Sequence, residues 1–166
     1  SYGNITANQY TDLFAELGNY FEINELRVSW LTQKDGLVQR LRDKAPTWSI
    51  TDGIGSLVPH AMCQSMIGYS FLCPDMIGGG LDGGFKDKNF KGMDMEMFVR
   101  WTQASALMPM MQFSYAPWKL DEKSVAICRK YAELHAAFGN YIYDLALQTK
   151  IDGTPITRPL FFDFPE

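Results

Sequence analysis

Apolar positions along this chain recur with two periods, which alternate. In residues 7–18, ANQYTDLFAELG, Tyr10, Leu13, Phe14 and Leu17 return at the spacing of one helical face, and Gly18 marks a stop. NELRVSWL then reads as a strand, Lys34-Asp35-Gly36 as a turn, and LVQRLR from Leu37 as a second strand. Residues 54–68, IGSLVPHAMCQSMIG, suit a largely buried helix if Pro59 lies in its first turn, where a missing N–H is harmless. YSFLCPDMI from Tyr69 is almost continuously apolar, as in a strand covered on both faces. MDMEMFVRWTQASAL from Met93 returns to helical spacing, and MPMMQFSY from Met108 is another apolar run. Residues 121–148 form one long helix or two.

Strand and helix thus alternate, which predicts an α/β fold of four parallel strand–helix units, either an open doubly wound sheet or a barrel. The strands are expected near 25–30, 37–42, 70–75 and 108–113, in one curved sheet with intervening helices on its outer face. Three of the four end in polar or glycine-rich residues, where the active sites of barrels collect. No GxGxxG or GxxxxGK[ST] follows a strand, which counts against a nucleotide-binding sheet. GGGLDGGF from Gly78 fits neither spacing and reads as a rim loop.

Composition narrows the partners. The 166 residues are 46% apolar and 20% charged, enough for one core. A net charge of −4 with no basic block argues against a nucleic-acid partner. No run of eighteen apolar residues exists. The opening SYGNITANQY lacks the basic-then-apolar form of a signal peptide and does not start with Met, so a processed chain or a piece of a longer one is expected. Cys63, Cys73 and Cys128 lie in apolar contexts and are expected as buried free thiols. Two histidines build no metal site, and Asn4-Ile5-Thr6 matches a glycosylation acceptor.

Asp43 and Asp75 each close an apolar run. A lone aspartate after a strand is usually a helix cap, but two on nearby strands raise the prospect of paired acid/base work. Arg27, inside the apolar-flanked ELRVSW, is costly to bury without an anion or a hydroxyl-rich ligand. Trp30, Trp48, Trp101 and Trp118 suit sugar stacking and core packing equally. Residue by residue, the chain reads as half a barrel with a polar, aromatic rim.

Five ordered motifs then carry a resemblance. Arg27 precedes Asp43 by sixteen residues and Trp48 follows Asp43 by five. DMIGG runs from Asp75, Glu96 stands ahead of Arg100-Trp101 on one helix, Pro109 precedes the next strand, and GTPITRPL closes the chain from Gly153. Together they resemble the second half of the catalytic barrel of glycoside hydrolase family 31, most similar to its myogenesis-regulating glycosidase group. The resemblance implies strands 5 to 8 of a (β/α)8 TIM barrel over 1–150, with a β-sandwich domain starting at 151–166. It implies a retaining α-glycosidase in which Asp43 is the acid/base and Arg27, Asp75, Ser114 and Trp118 contact substrate, with no metal and no cofactor. Its partners would be a carbohydrate substrate and the rest of its own barrel, with an oligomer allowed, in a secretory, lysosomal or extracellular setting. The family's nucleophile phrase, K-x-D-x-G-E in form, does not occur here, so the piece alone is expected to be inactive. Ser114 stands where many members have a histidine, and Arg40-Leu41-Arg42 replaces the family's W-x-G before the acid. Both departures point away from glucose and toward an α-galactoside. The alternative is a non-catalytic relative that binds a glycan or a protein.

Overall fold

The computed structural model describes residues 3–80 and 92–166. Three short strands, β1 (Glu25–Leu26), β2 (Val38–Arg40) and β3 (Leu72–Cys73), lie side by side in that order and run parallel. The register sets Glu25 opposite Val38, Gln39 opposite Leu72 and Arg40 opposite Cys73. The strand expected at 108–113 is reduced to one parallel bridge between Ile77 and Phe113. Its two bonds run from Ile77 N to Gln112 O at 2.8 Å and from Ser114 N to Ile77 O at 3.1 Å. No further pair of residues 108–112 with the sheet is present among the described residues.

The helices follow the periodicity with two corrections. α1 (Ala7–Gly18) starts in a capping box, with Gln9 N donating to Thr6 Oγ1 and Thr6 N to Gln9 Oε1. Its packed face is not the apolar stripe: Thr11, Ala15 and Gly18 are buried while Leu13 and Leu17 are exposed. Close approach decides this, because a Cβ on Gly18 would lie 2.6 Å from Asn24 Nδ2 and 3.1 Å from Leu37. The second correction concerns the outer layer. β1 and β2 are parallel yet joined without a helix, by a link that turns at Thr32–Asp35 through a 3.0 Å bond.

α2 (Leu57–Met66) extends a 3-10 turn at Ile54–Ser56 and keeps Pro59 in its first turn, as the sequence requires. α3 (Met95–Ser105) is capped by Asp94, whose carboxylate accepts from Met97 N at 3.0 Å. The long helical stretch is two helices, α4 (Glu122–Ala137) and α5 (Gly139–Asp152), and α5 ends at Gly153 with φ of 77°. A single-turn helix, α6 (Leu160–Asp163), follows. Leu57, Ala61, Leu72, Ile77, Phe98 and Trp101 form a core between the sheet and α2 and α3. Cys73 and Cys128 are buried free thiols, and burial pushes Cys73 up to about 11. Cys63 departs from expectation: it is free but exposed, on α2.

Candidate active site

The parallel strands deliver Arg27, Asp43 and Asp75 just past their C-terminal ends, to one end of the sheet. There the three side chains meet. Arg27 Nη2 donates to Asp43 Oδ1 and lies 3.4 Å from Asp75 Oδ1. The two carboxylates are otherwise unlike: Asp43 is 36% exposed and Asp75 is fully buried. Asp43 caps no helix, so its carboxylate stays available beside the guanidinium.

Asp75 is held from several sides. Arg40 donates to Oδ1 through Nε at 3.0 Å and Nη2 at 2.9 Å, and Lys44 N donates to Oδ2 at 2.9 Å. Arg40 also reaches Glu25 Oε1 at 2.6 Å, and Gln112 Nε2 donates to Glu25 Oε2 at 3.0 Å. Burial works against the Arg40 charge, but its bonds to Glu25 and Asp75 outweigh burial and raise its proton affinity above the ordinary arginine value. A continuous chain therefore runs from Gln112 through Glu25, Arg40, Asp75 and Arg27 to Asp43. Asp75, expected as a sugar contact, is fully buried, with its carboxylate bonded to Arg40, Lys44 N and Arg27. Its backbone is left-handed, with φ of 81°, a conformation few side chains tolerate, here fixed by those bonds.

The glycines after Asp75 have a local reason. Gly79 has φ of 74°, and a Cβ there would meet Lys44 O at 2.7 Å and Ala45 C at 2.9 Å. Gly80 N donates to Lys44 O at 2.9 Å. The segment thus runs directly against the loop that carries Asp43, and only glycine allows that approach. Leu81–Phe85 of the expected rim loop lie outside the described residues. Gly79→Ala in the full-length protein is expected to cost about 1–3 kcal/mol from the left-handed backbone alone and to displace Asp43. Activity should fall further than the thermal midpoint accounts for. A variant with native turnover would show that this approach does not position Asp43.

Beyond Asp43, Trp48 Nε1 donates to Asp94 Oδ2 at 2.9 Å, tying the loop to the start of α3. The Asp94 carboxyl sits below the ordinary range because Met97 N–H and then Trp48 stabilise its anion. Ser114 donates to Ile77 O at 2.7 Å, and its Oγ would lie 2.9 Å from a Cβ on Gly78. It borders the same glycine segment. Trp118 is not brought to the cluster: it is 78% exposed and lines a groove with Leu120 and with Glu122, Val125 and Arg129 of α4.

Glu25, Lys44 and His60 were not anticipated. Glu25 and Arg27 stand two apart, as do Arg40 and Arg42, the period that puts strand residues on one face; that was the available signal. Lys44 is fully buried, with Nζ 2.6 Å from His60 Nδ1 on α2, and no sequence pattern announces that pair.

Comparison with known proteins defines the class. Residues 43–145 match the family model "Glycosyl hydrolases family 31 TIM-barrel domain". The myogenesis-regulating glycosidase of Mus musculus is 36% identical over 166 residues, covering 97% of this chain and 22% of that protein. The SITS-binding protein of Tetronarce californica is 33% identical over 161 residues, 95% of this chain and 22% of its own. A sulfoquinovosidase from E. rectale, solved with an aza-sugar inhibitor, superposes with a TM-score of 0.73 at 19% identity, over 96% of this chain and 24% of that one. This chain belongs to glycoside hydrolase family 31. It spans about a fifth of the length of the curated relatives it matches, 22% of each of the two above.

Proposed function

We propose that this chain is the second half of a family 31 catalytic barrel and that the whole protein is a retaining α-glycosidase. The observation that carries the reading is Arg27 joining the half-exposed Asp43 to the enclosed Asp75 at the open end of a parallel sheet. Asp43 protonates the glycosidic oxygen as the bond breaks and then takes a proton from the attacking water. Arg27, aimed by Asp75, orients Asp43 and reaches substrate. The second carboxylate, the nucleophile, comes from a strand preceding β1, roughly 5 Å away as retention requires. Residues 151–166 lead into the next domain. The protein follows a secretory or lysosomal route; the lysosomal alpha-glucosidase of Rattus norvegicus, 28% identical over 72% of this chain, and the exposed Asn4 support that setting.

The sugar is an α-galactoside. Relatives include an alpha-xylosidase of Saccharolobus solfataricus, 30% identical over 86% of this chain, so the family scaffold accommodates more than one sugar. With Ser114 bonded to Ile77 O, the side of the site nearest Gly78 carries a short hydroxyl in place of an imidazole. A hydroxyl left without its partner costs roughly 1–3 kcal/mol, enough to choose between epimers. The full-length protein should hydrolyse an α-galactoside at least about tenfold faster, in kcat/KM, than the matching α-glucoside, with retention at the anomeric carbon. The reverse preference would refute the galactoside assignment. No turnover of any α-glycoside, with an intact upstream nucleophile, would favour a non-catalytic glycan- or protein-binding relative.

A further inference from the structure

The helix missing between β1 and β2 leaves a cavity of about 500 Å³ against α2. Arg42, His60, Cys63, Gln64, Ser29 and Arg27 are among its lining residues, and no carboxylate is. Arg42 is exposed and takes part in no ion pair or hydrogen bond among the described residues. Behind the wall lies the buried Lys44, its ammonium donating to His60 Nδ1. Three basic groups therefore crowd one place. Burial and then Arg42 lower Lys44, while burial, then Lys44 and Arg42, lower His60. Asp75 and Asp52 partly offset the charge on Lys44, but neither lines the cavity, and Asp75 is already held by Arg27, Arg40 and Lys44 N.

Arg27 and Arg40 in the lining are paired with Asp43, Asp75 and Glu25, but a concave surface holding the unpaired Arg42, with the Lys44 charge behind it, concentrates anions from solvent. A guanidinium with free donors matches the fork of an oxyanion, and Ser29 and Gln64 add neutral donors beside it. We propose that this cavity is a binding site for a small oxyanion, either inorganic sulfate or phosphate, or the carboxylate or sulfonate group of a small organic molecule, held chiefly by Arg42. The cavity adjoins the candidate active site through Arg27, which lines it and also clasps Asp43. Its occupant therefore sits one side chain from the candidate acid.

Cys63 provides the readout, being exposed and in the same lining. In the full-length protein, alkylation of Cys63 by iodoacetate and by neutral iodoacetamide is followed by mass spectrometry of its peptide. The ratio of the two rates should be at least about threefold higher in the native protein than in Arg42→Gln, because a positive site draws in the anionic reagent. At constant ionic strength, millimolar sulfate or phosphate should slow the iodoacetate reaction in the native protein and leave Arg42→Gln unaffected. Acetate and methanesulfonate, tested alongside, separate an organic ligand from an inorganic one. Equal ratios in native and variant, or sulfate slowing both alike, would overturn the proposal. Should Arg42→Gln fold poorly, the native protein decides alone: iodoacetate alkylation insensitive to all four anions refutes the site. Because turnover is not the readout, this outcome is independent of the glycosidase assignment.

Discussion

Asp43→Asn in the full-length protein is expected to lose turnover by about 10²–10⁴-fold on substrates with poor leaving groups, the usual contribution of a positioned proton donor. An amide cannot protonate the departing oxygen, so an alkyl glycoside or a disaccharide stalls at the first step. An activated aryl glycoside needs little protonation, and its first step should persist. The glycosyl-enzyme then accumulates, because the same residue is needed to activate water. A burst of aryl alcohol followed by a slow steady state is the signature. Equal loss on both substrate types would mean that Asp43 is not the acid. The geometry favours the assignment, since Asp43 keeps solvent access while accepting from Arg27, and no helix end claims its oxygens.

The larger effect on stability should come from Asp75. Its carboxylate compensates the guanidinium of Arg40, only 14% exposed, and part of that of Arg27. Without that charge Arg40 keeps Glu25 as its one carboxylate, and losing the charge-assisted bonds to Asp75 should cost about 1.5–3 kcal/mol. Asp75→Asn isolates the charge, because asparagine tolerates the left-handed backbone as well as aspartate does. Denaturant unfolding should show the loss, and turnover of the surviving folded protein should fall as Arg27 loses its second anchor. Arg40→Met placed on Asp75→Asn should recover part of the stability, with a coupling of about 0.5–3 kcal/mol. Strict additivity would show that the two residues do not act as one clamp. Recovery of stability without recovery of turnover would separate the packing role of the network from its effect on Arg27.

Much of this arrangement was legible in the residues. The order of elements followed from the switch of period, and Pro59 sits where its missing N–H is harmless. Arg27, Asp43 and Asp75 were singled out because each interrupts or closes an apolar run, and the structure brings the three together. What the residues hid depends on neighbours distant in the chain. Glu25 and Arg40 look like solvated charges until the parallel register sets them side by side, and Lys44 resembles any surface lysine until His60 arrives from α2. The buried face of α1 was concealed for another reason. Small residues, Ala15 and Gly18, let the helix approach closely, while hydropathy favoured the larger Leu13 and Leu17, which are exposed. The fourth strand shrinks to a single bridge, because an apolar run marks burial and does not by itself specify a ladder partner.

The left-handed backbone at Asp75 also restricts the alphabet at that position. Glycine and asparagine sit in that conformation with ease, but neither carries a charge for Arg40 and Arg27. Glutamate has the charge, but its longer stem is poorly suited to a left-handed turn closed on every side. Aspartate alone meets both demands. A relative with any other residue here therefore lacks this clamp, and one that keeps the aspartate can form it only where arginines also stand at the positions of Arg27 and Arg40.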